Sequence, residues 1–294
     1  MNVKETLVKN KWRYLTLLLG FFLFVGPFAL AVRGVYFLMD NQAAATLHSF
    51  CFRMPFSWLF EGRYYSVFAS VVMAGFAFGV TILSIFIGPI FCGWLCPVGA
   101  ISEGLSRAIP IPNKYRLKIR DPALTSMLRY GFLAGFILVG VLVGYKLAAS
   151  TEMSTVCCRY CASAVLQTMA DAVFVSPLAL EYWHSGAIIV LVAWLLIGGL
   201  FMVGGRGWCL FFCPLGALSG LAHKLGAKLG FLRMEHDASK CHDCKDCSDR
   251  CMMWAIKEDR TVERALCTNC KECSTMCPQG AYALKWGRKN AESA

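Results

Sequence analysis

Eight of the sixteen cysteines stand in two matching runs near the C-terminus. Cys241, Cys244, Cys247 and Cys251 follow the spacing C-x2-C-x2-C-x3-C, and Cys267, Cys270, Cys273 and Cys277 repeat it, ending in Cys277-Pro278. Thiolates at these intervals are the ligand pattern of bacterial two-cluster ferredoxins, where the fourth cysteine of each run crosses to the other [4Fe–4S] cube. That rule assigns Cys241, Cys244, Cys247 and Cys277 to one cluster, and Cys267, Cys270, Cys273 and Cys251 to the other. A pair of zinc knuckles or a disulfide knot competes with this reading. Zinc takes four ligands, normally as two separated pairs, so two tight quartets fit cubanes better. The implied chemistry is electron transfer.

Four more cysteines form a second repeat. Cys92 and Cys96 open the string C-G-W-L-C-P-V-G-A-I-S, and Cys209 and Cys213 open C-L-F-F-C-P-L-G-A-L-S. Thiols four apart share one side of a helical turn, and the following Pro97 or Pro214 ends or bends the helix at that point. If the two copies pair by symmetry, Cys92, Cys96, Cys209 and Cys213 converge at one depth. They could ligate a third cluster or another metal, or serve as reduced thiols that pack helix ends.

The elements that must carry these residues are apolar. Hydrophobic residues make up 57% of the 294, charged residues 16%, and mean hydropathy is +0.54. Uncharged or nearly uncharged runs at 14–32, 64–102, 130–145 and 183–205 approach or exceed the roughly 20 residues that cross a bilayer. The fold expected is an all-α four-helix transmembrane domain, a duplicated helix hairpin over 1–225. A small α+β two-cluster ferredoxin-like domain over 226–294 follows it. Gly75 and Gly79 form a small-xxx-small pattern suited to close helix packing.

Lys and Arg crowd the N-terminal tail, the second loop (Arg107 to Arg129) and everything after Arg206, whereas 149–182 is acidic. The positive-inside rule puts both termini and the ferredoxin segment in the cytoplasm. The net charge of +11 is this topology signal, and no nucleic-acid footprint of basic residues interleaved with aromatics accompanies it. The N-terminal apolar run is long and has no clear cleavage site, so it reads as a retained helix.

The remaining cysteines, Cys51, Cys157, Cys158 and Cys161, fall in the loops expected outside. Disulfides are the default there, and an outer metal or cluster site is the alternative. No C-x-x-C-H for covalent haem occurs, and the four axial histidines of a dihaem oxidase are absent. Gly204-Gly205-Arg206-Gly207 reads as a turn rather than a dinucleotide loop. His184 and Glu181 are weak candidates for accepting a quinol proton.

Taken with the four expected helices, the duplicated C-x3-C-P and the two-cluster tail resemble the NapH-type membrane ferredoxin, the quinol dehydrogenase subunit of periplasmic nitrate reductase systems. The same core occurs in NosR-type and YccM-type polyferredoxins. The resemblance implies an electron-transfer subunit of a respiratory chain in the inner membrane. It would link the quinone pool to a ferredoxin-like or cytochrome partner and a reductase complex. Metallocentre maturation, for example of copper, and redox sensing are the alternative roles. Met252-Met253 after Cys251, in place of a proline, departs from the pattern and predicts a looser loop or an altered potential at that cluster.

Overall fold

The computed structural model describes residues 9–39, 53–60, 62–109, 111–119, 121–147, 160–178 and 185–287. Proline and glycine cut the apolar runs into shorter helices than their length predicts. The run 14–32 becomes α1 (Lys11–Phe24) and α2 (Leu30–Leu38), parted at Gly26-Pro27, where proline has no N–H to give. After α3 (Arg53–Phe60) and α4 (Tyr64–Ala69) comes α5 (Val71–Ile87). Gly88 ends α5 at φ 78, a backbone angle that costs a side chain dearly.

Pro122–Gly144 forms α7, and its stretch Ala123–Leu142 is the one helix among the described residues long and apolar enough to cross a membrane. The 17 residues of α5 rise about 25 Å, short of the ~30 Å hydrocarbon core. The run 183–205 contains α9 (Ser185–Leu191), which continues as a wider π-helix over Val192–Phe201.

Inside the loop expected between the third and fourth spans lies α8 (Ala162–Phe174). Its Ala162, Val165, Leu166 and Ala170 are buried with Phe24, Val98 and Trp194, and its Gln167 accepts a hydrogen bond from the Gly26 amide at 3.2 Å. Helices meet most closely at glycines other than those expected. Gly20 lies on the Leu95 carbonyl and Gly226 on that of Ile85, whereas nothing among the described residues approaches Gly75 or Gly79.

Each C-x3-C-P folds the same way. Cys96 and Cys213 are extended, and Pro97 and Pro214 open α6 (Pro97–Ala108) and α11 (Pro214–Leu229) as first-turn residues, where a missing N–H costs nothing. Proline therefore starts a helix here as well as stopping one. The short α10 (Gly207–Phe211) carries Cys209.

The tail is α+β. Strand β1 (Arg233–His236) pairs antiparallel with β2 (Tyr282–Lys285), and between them sit α12 (Asp246–Arg250) and α13 (Glu272–Met276). Its two halves repeat: Asp243 and Lys245 have positive φ, and so do Asn269 and Lys271 at the equivalent places.

Candidate iron–sulfur site

Cys251, Cys267, Cys270 and Cys273 line one cavity, otherwise walled mainly by Met234, Met252, Met253, Ile256 and Val262. These are the four residues that the crossover rule groups together. The five-residue α13 presents Cys273, and the left-handed turn at Asn269 and Lys271 bends the chain so that Cys267 and Cys270 face the same space. The Ala255 amide donates to Cys251 Sγ at 3.3 Å, the kind of N–H···S contact that tunes a cluster. Burial pushes the Cys267 thiol up to about 12, and moves Cys251 and Cys273 upward as well. Without iron these sulfurs keep their protons; ligation would expel them.

Cys241, Cys247 and Cys277 are half-buried and Cys244 is exposed. The Ala281 amide donates to Cys277 Sγ at 3.3 Å, the counterpart of the contact at Cys251. Among the described residues, no three His, Cys, Asp or Glu side chains are placed to hold one metal ion. Sulfurs about 2.3 Å from a single zinc lie within roughly 4 Å of each other, whereas a cube holds its thiolates at four separate corners. The donor set and its apolar cavity fit a [4Fe–4S] cluster, which supplies one-electron storage when bound.

The tail is fastened to the helical part beside that cavity. A Cβ on Gly93, next to Cys92, would stand 3.5 Å from Cys270 Cβ and 2.7 Å from the Thr268 carbonyl oxygen. Trp94 donates to the Asn269 carbonyl at 3.2 Å, and Asn269 Nδ2 donates to the Ile87 carbonyl at 2.9 Å. Met252 and Met253 are buried, Arg13 lies 3.2 Å from Met252 Sδ, and Trp254 donates to the Val203 carbonyl at 3.0 Å. The segment expected to be loose is a plug in this interface, and the methionines fill it as proline could not.

A buried ion cluster that the sequence did not reveal crosses the same interface. Arg13 chelates Glu103 at 2.8 and 2.6 Å and reaches Glu272 at 3.1 Å. Arg206 meets Glu103 at 2.8 Å, and Arg107 bridges Glu103 and Glu272 at 3.1 and 3.0 Å. Burial alone would raise the Glu103 carboxyl, but Arg13, Arg206 and Arg107 outweigh it and hold it well below the usual range. The available signal was Glu103, an isolated acid seven residues after Cys96. Arg13 and Arg107, counted above as loop charges, are ion-pair partners instead.

Cys92 lies within electrostatic reach of Cys96, Cys209 and Cys213, with Arg206 beside them. Cys161, at the start of α8, reaches Cys213 in the same sense. Cys51, Cys157, Cys158, Glu181 and His184 lie outside the described residues.

Fold and site define a helical bundle with a small α+β tail docked on it, a tail whose cysteine spacing and apolar cavity fit [4Fe–4S] chemistry of the ferredoxin type. A family described as a 4Fe-4S binding domain matches residues 69–118 and 187–231, each stretch holding one C-x3-C-P copy. MauN of Methylorubrum extorquens, a methylamine utilization ferredoxin-type protein, is 28% identical over 84% of this chain and 77% of its own length. YccM of Escherichia coli is 28% identical over 70% of the chain, and the ferredoxin-type protein NapH of Haemophilus influenzae 25% over 62%. The chain spans about half the length of these last two, 53% and 54%. No solved structure matches it. The chain is thus similar to ferredoxin-type proteins of the NapH, MauN and YccM kind.

Proposed function

We propose that this protein carries electrons between the membrane quinone pool and a partner redox protein of a respiratory chain. Two [4Fe–4S] clusters do so, one held by Cys241, Cys244, Cys247 and Cys277, the other by Cys267, Cys270, Cys273 and Cys251. The carrying observation is the second quartet, gathered on one cavity directly against the helix ends that bear Cys92 and Trp94. Electrons arriving there stand at the junction of a polar tail and an apolar bundle.

Residues 1–225 are read as the membrane part, with four spans built from α1–α2, α5 with the turn that follows it, α7, and α9. Large apolar side chains such as Leu18, Ile82, Leu138 and Ile197 are exposed on all four, which suits lipid contact better than water. Loop charge supports placing both termini and the tail, 226–294, in the cytoplasm. The exposed Cys244 face is the natural docking side for a ferredoxin-like or cytochrome partner of a reductase complex. Glu181 and His184 remain the candidates for the quinol proton. A copper-maturation role would call for single-ion geometry at the C-x3-C-P thiols.

The test is anaerobic addition of a menaquinol or ubiquinol analogue to the cluster-loaded, detergent-purified chain. Bleaching of the broad iron–sulfur absorbance is expected. A protein loaded with iron and sulfide that dithionite bleaches and no quinol does would overturn the quinone link.

A further inference from the structure

Arg129, in the first turns of α7, is 2% exposed, and among the described residues no carboxylate pairs with it. Its Nη2 donates to the Gly216 carbonyl, while Nε and Nη1 have no partner there. A buried guanidinium left without an anion is among the costlier arrangements in a protein. Something must compensate it.

Its surroundings say what. A Cβ on Gly216 would stand 3.4 Å from Arg129 Nη2, 3.7 Å from Cys213 Cβ and 3.1 Å from the Cys209 carbonyl oxygen. Arg129 also lies within electrostatic reach of Cys213, Cys92 and Cys209. The other copy of the motif repeats the arrangement. Gly99 is the equivalent of Gly216, and a Cβ there would stand 2.7 Å from Arg206 Nη1, which donates to the Cys92 carbonyl. Each motif glycine therefore leaves room for a buried arginine, and the two arginines flank the four thiols.

The charges do not balance without a ligand. Among the described residues, Arg13, Arg107 and Arg206 face only Glu103 and Glu272, and Arg129 adds a further cation. Four neutral thiols offer no compensation. Four thiolates around a [4Fe–4S] core do, because that unit is net negative. Among the described residues, no three His, Cys, Asp or Glu side chains are placed to hold a single metal ion.

We propose that Cys92, Cys96, Cys209 and Cys213 hold a third [4Fe–4S] cluster, and that Arg129 is its counter-ion. The site sits beside the quartet of Cys251, Cys267, Cys270 and Cys273, since Gly93 already touches the Cys270 loop. This inference rests on reading the chain as an iron–sulfur carrier, and its test separates the two.

The full-length chain is loaded anaerobically with iron and sulfide, and both are counted. About twelve irons per chain are expected, falling to about eight in a Cys92→Ser/Cys209→Ser variant that keeps the tail clusters. About eight in both overturns the third site and leaves the tail clusters standing, as does zinc or copper bound there without labile sulfide. Arg129→Gln should keep the iron but move one midpoint potential downward, because a cation favours the more negative reduced state; Arg129→Lys should restore it.

A heat-stability cycle separates charge balance from simple packing. Arg129→Gln should destabilise the fully loaded chain, yet leave the Cys92→Ser/Cys209→Ser background unchanged or more stable. Equal destabilisation in both, with all potentials unmoved, would overturn the counter-ion role.

Discussion

Cys241, Cys244 and Cys247 are presented by the same left-handed turns as Cys267, Cys270 and Cys273, yet the two halves meet different neighbours. His242, Asp243, Cys244 and Asp246 are exposed; their equivalents Thr268, Asn269 and Glu272 are buried and Cys270 is half-buried. One repeated motif has thus been given two sides. The buried half anchors the tail to the helices through Glu272 and Asn269, and the open half is left for exchange with a partner. The difference predicts unequal damage from chemically similar substitutions.

The largest effect is expected at the centre of the anchored side. Glu103→Gln keeps the shape but leaves Arg13, Arg107 and Arg206 with only Glu272 between them. Breaking a buried ion pair typically costs ~3–5 kcal/mol. Thermal denaturation should show that loss, and limited proteolysis should release the tail from the helices. A stability within experimental error of wild type would mean that the cluster does not hold the two parts together.

Acid should act on the same side in two steps. His223, fully buried on α11 with neither ring nitrogen partnered among the described residues, has its pKa lowered to about 4 by burial and then by Arg264. Its folded value lies below the unfolded one of about 6.5. The unfolded chain therefore binds a proton first, and stability falls as pH drops from about 6.5 towards 4, by up to about 3 kcal/mol. Glu103 acts later: its folded pKa is depressed, so its contribution is complete above about 4.3 and is lost as pH falls further. Unfolding measured from pH 8 to 4 should lose the upper step in His223→Gln. An unchanged profile in that variant would place the titration elsewhere.

Much of this was legible. The grouping of Cys251 with Cys267, Cys270 and Cys273 on one cavity and the turn at Gly204 and Gly205 follow from spacing and backbone rules that need only neighbours in sequence. The interface was not legible, because it joins Arg13 to Glu103 and Glu272, far apart in the chain, and a charged residue looks the same in sequence whether it meets water or a partner. Met252-Met253 misled for a related reason: the missing proline was visible, and the surface that the methionines fill was not. Helix length was also overread, since hydropathy does not register the break at Gly26-Pro27 or the burial of α8 between the other helices.

Exchanging one residue between the halves gives the sharpest comparison at the smallest scale. Asp243 and Asn269 occupy equivalent left-handed positions, at φ 53 and 49, and both Asp and Asn tolerate that geometry. Neither exchange strains the backbone, so only the surroundings differ. Asn269→Asp removes the donor to the Ile87 carbonyl and buries a carboxylate, a change that costs about 1–3 kcal/mol or more. Asp243→Asn removes a charge that Arg260 meets at the surface: Arg260 Nε donates to Asp243 Oδ1 at 2.7 Å, but the Asp243 side chain is 70% exposed. An exposed pair contributes ~1 kcal/mol or less, and the asparagine oxygen still accepts from Arg260. Chemical denaturation of the two variants should therefore separate them clearly, with Asp243→Asn close to wild type. Equal losses would mean that both halves are anchored alike and that the open side is not open.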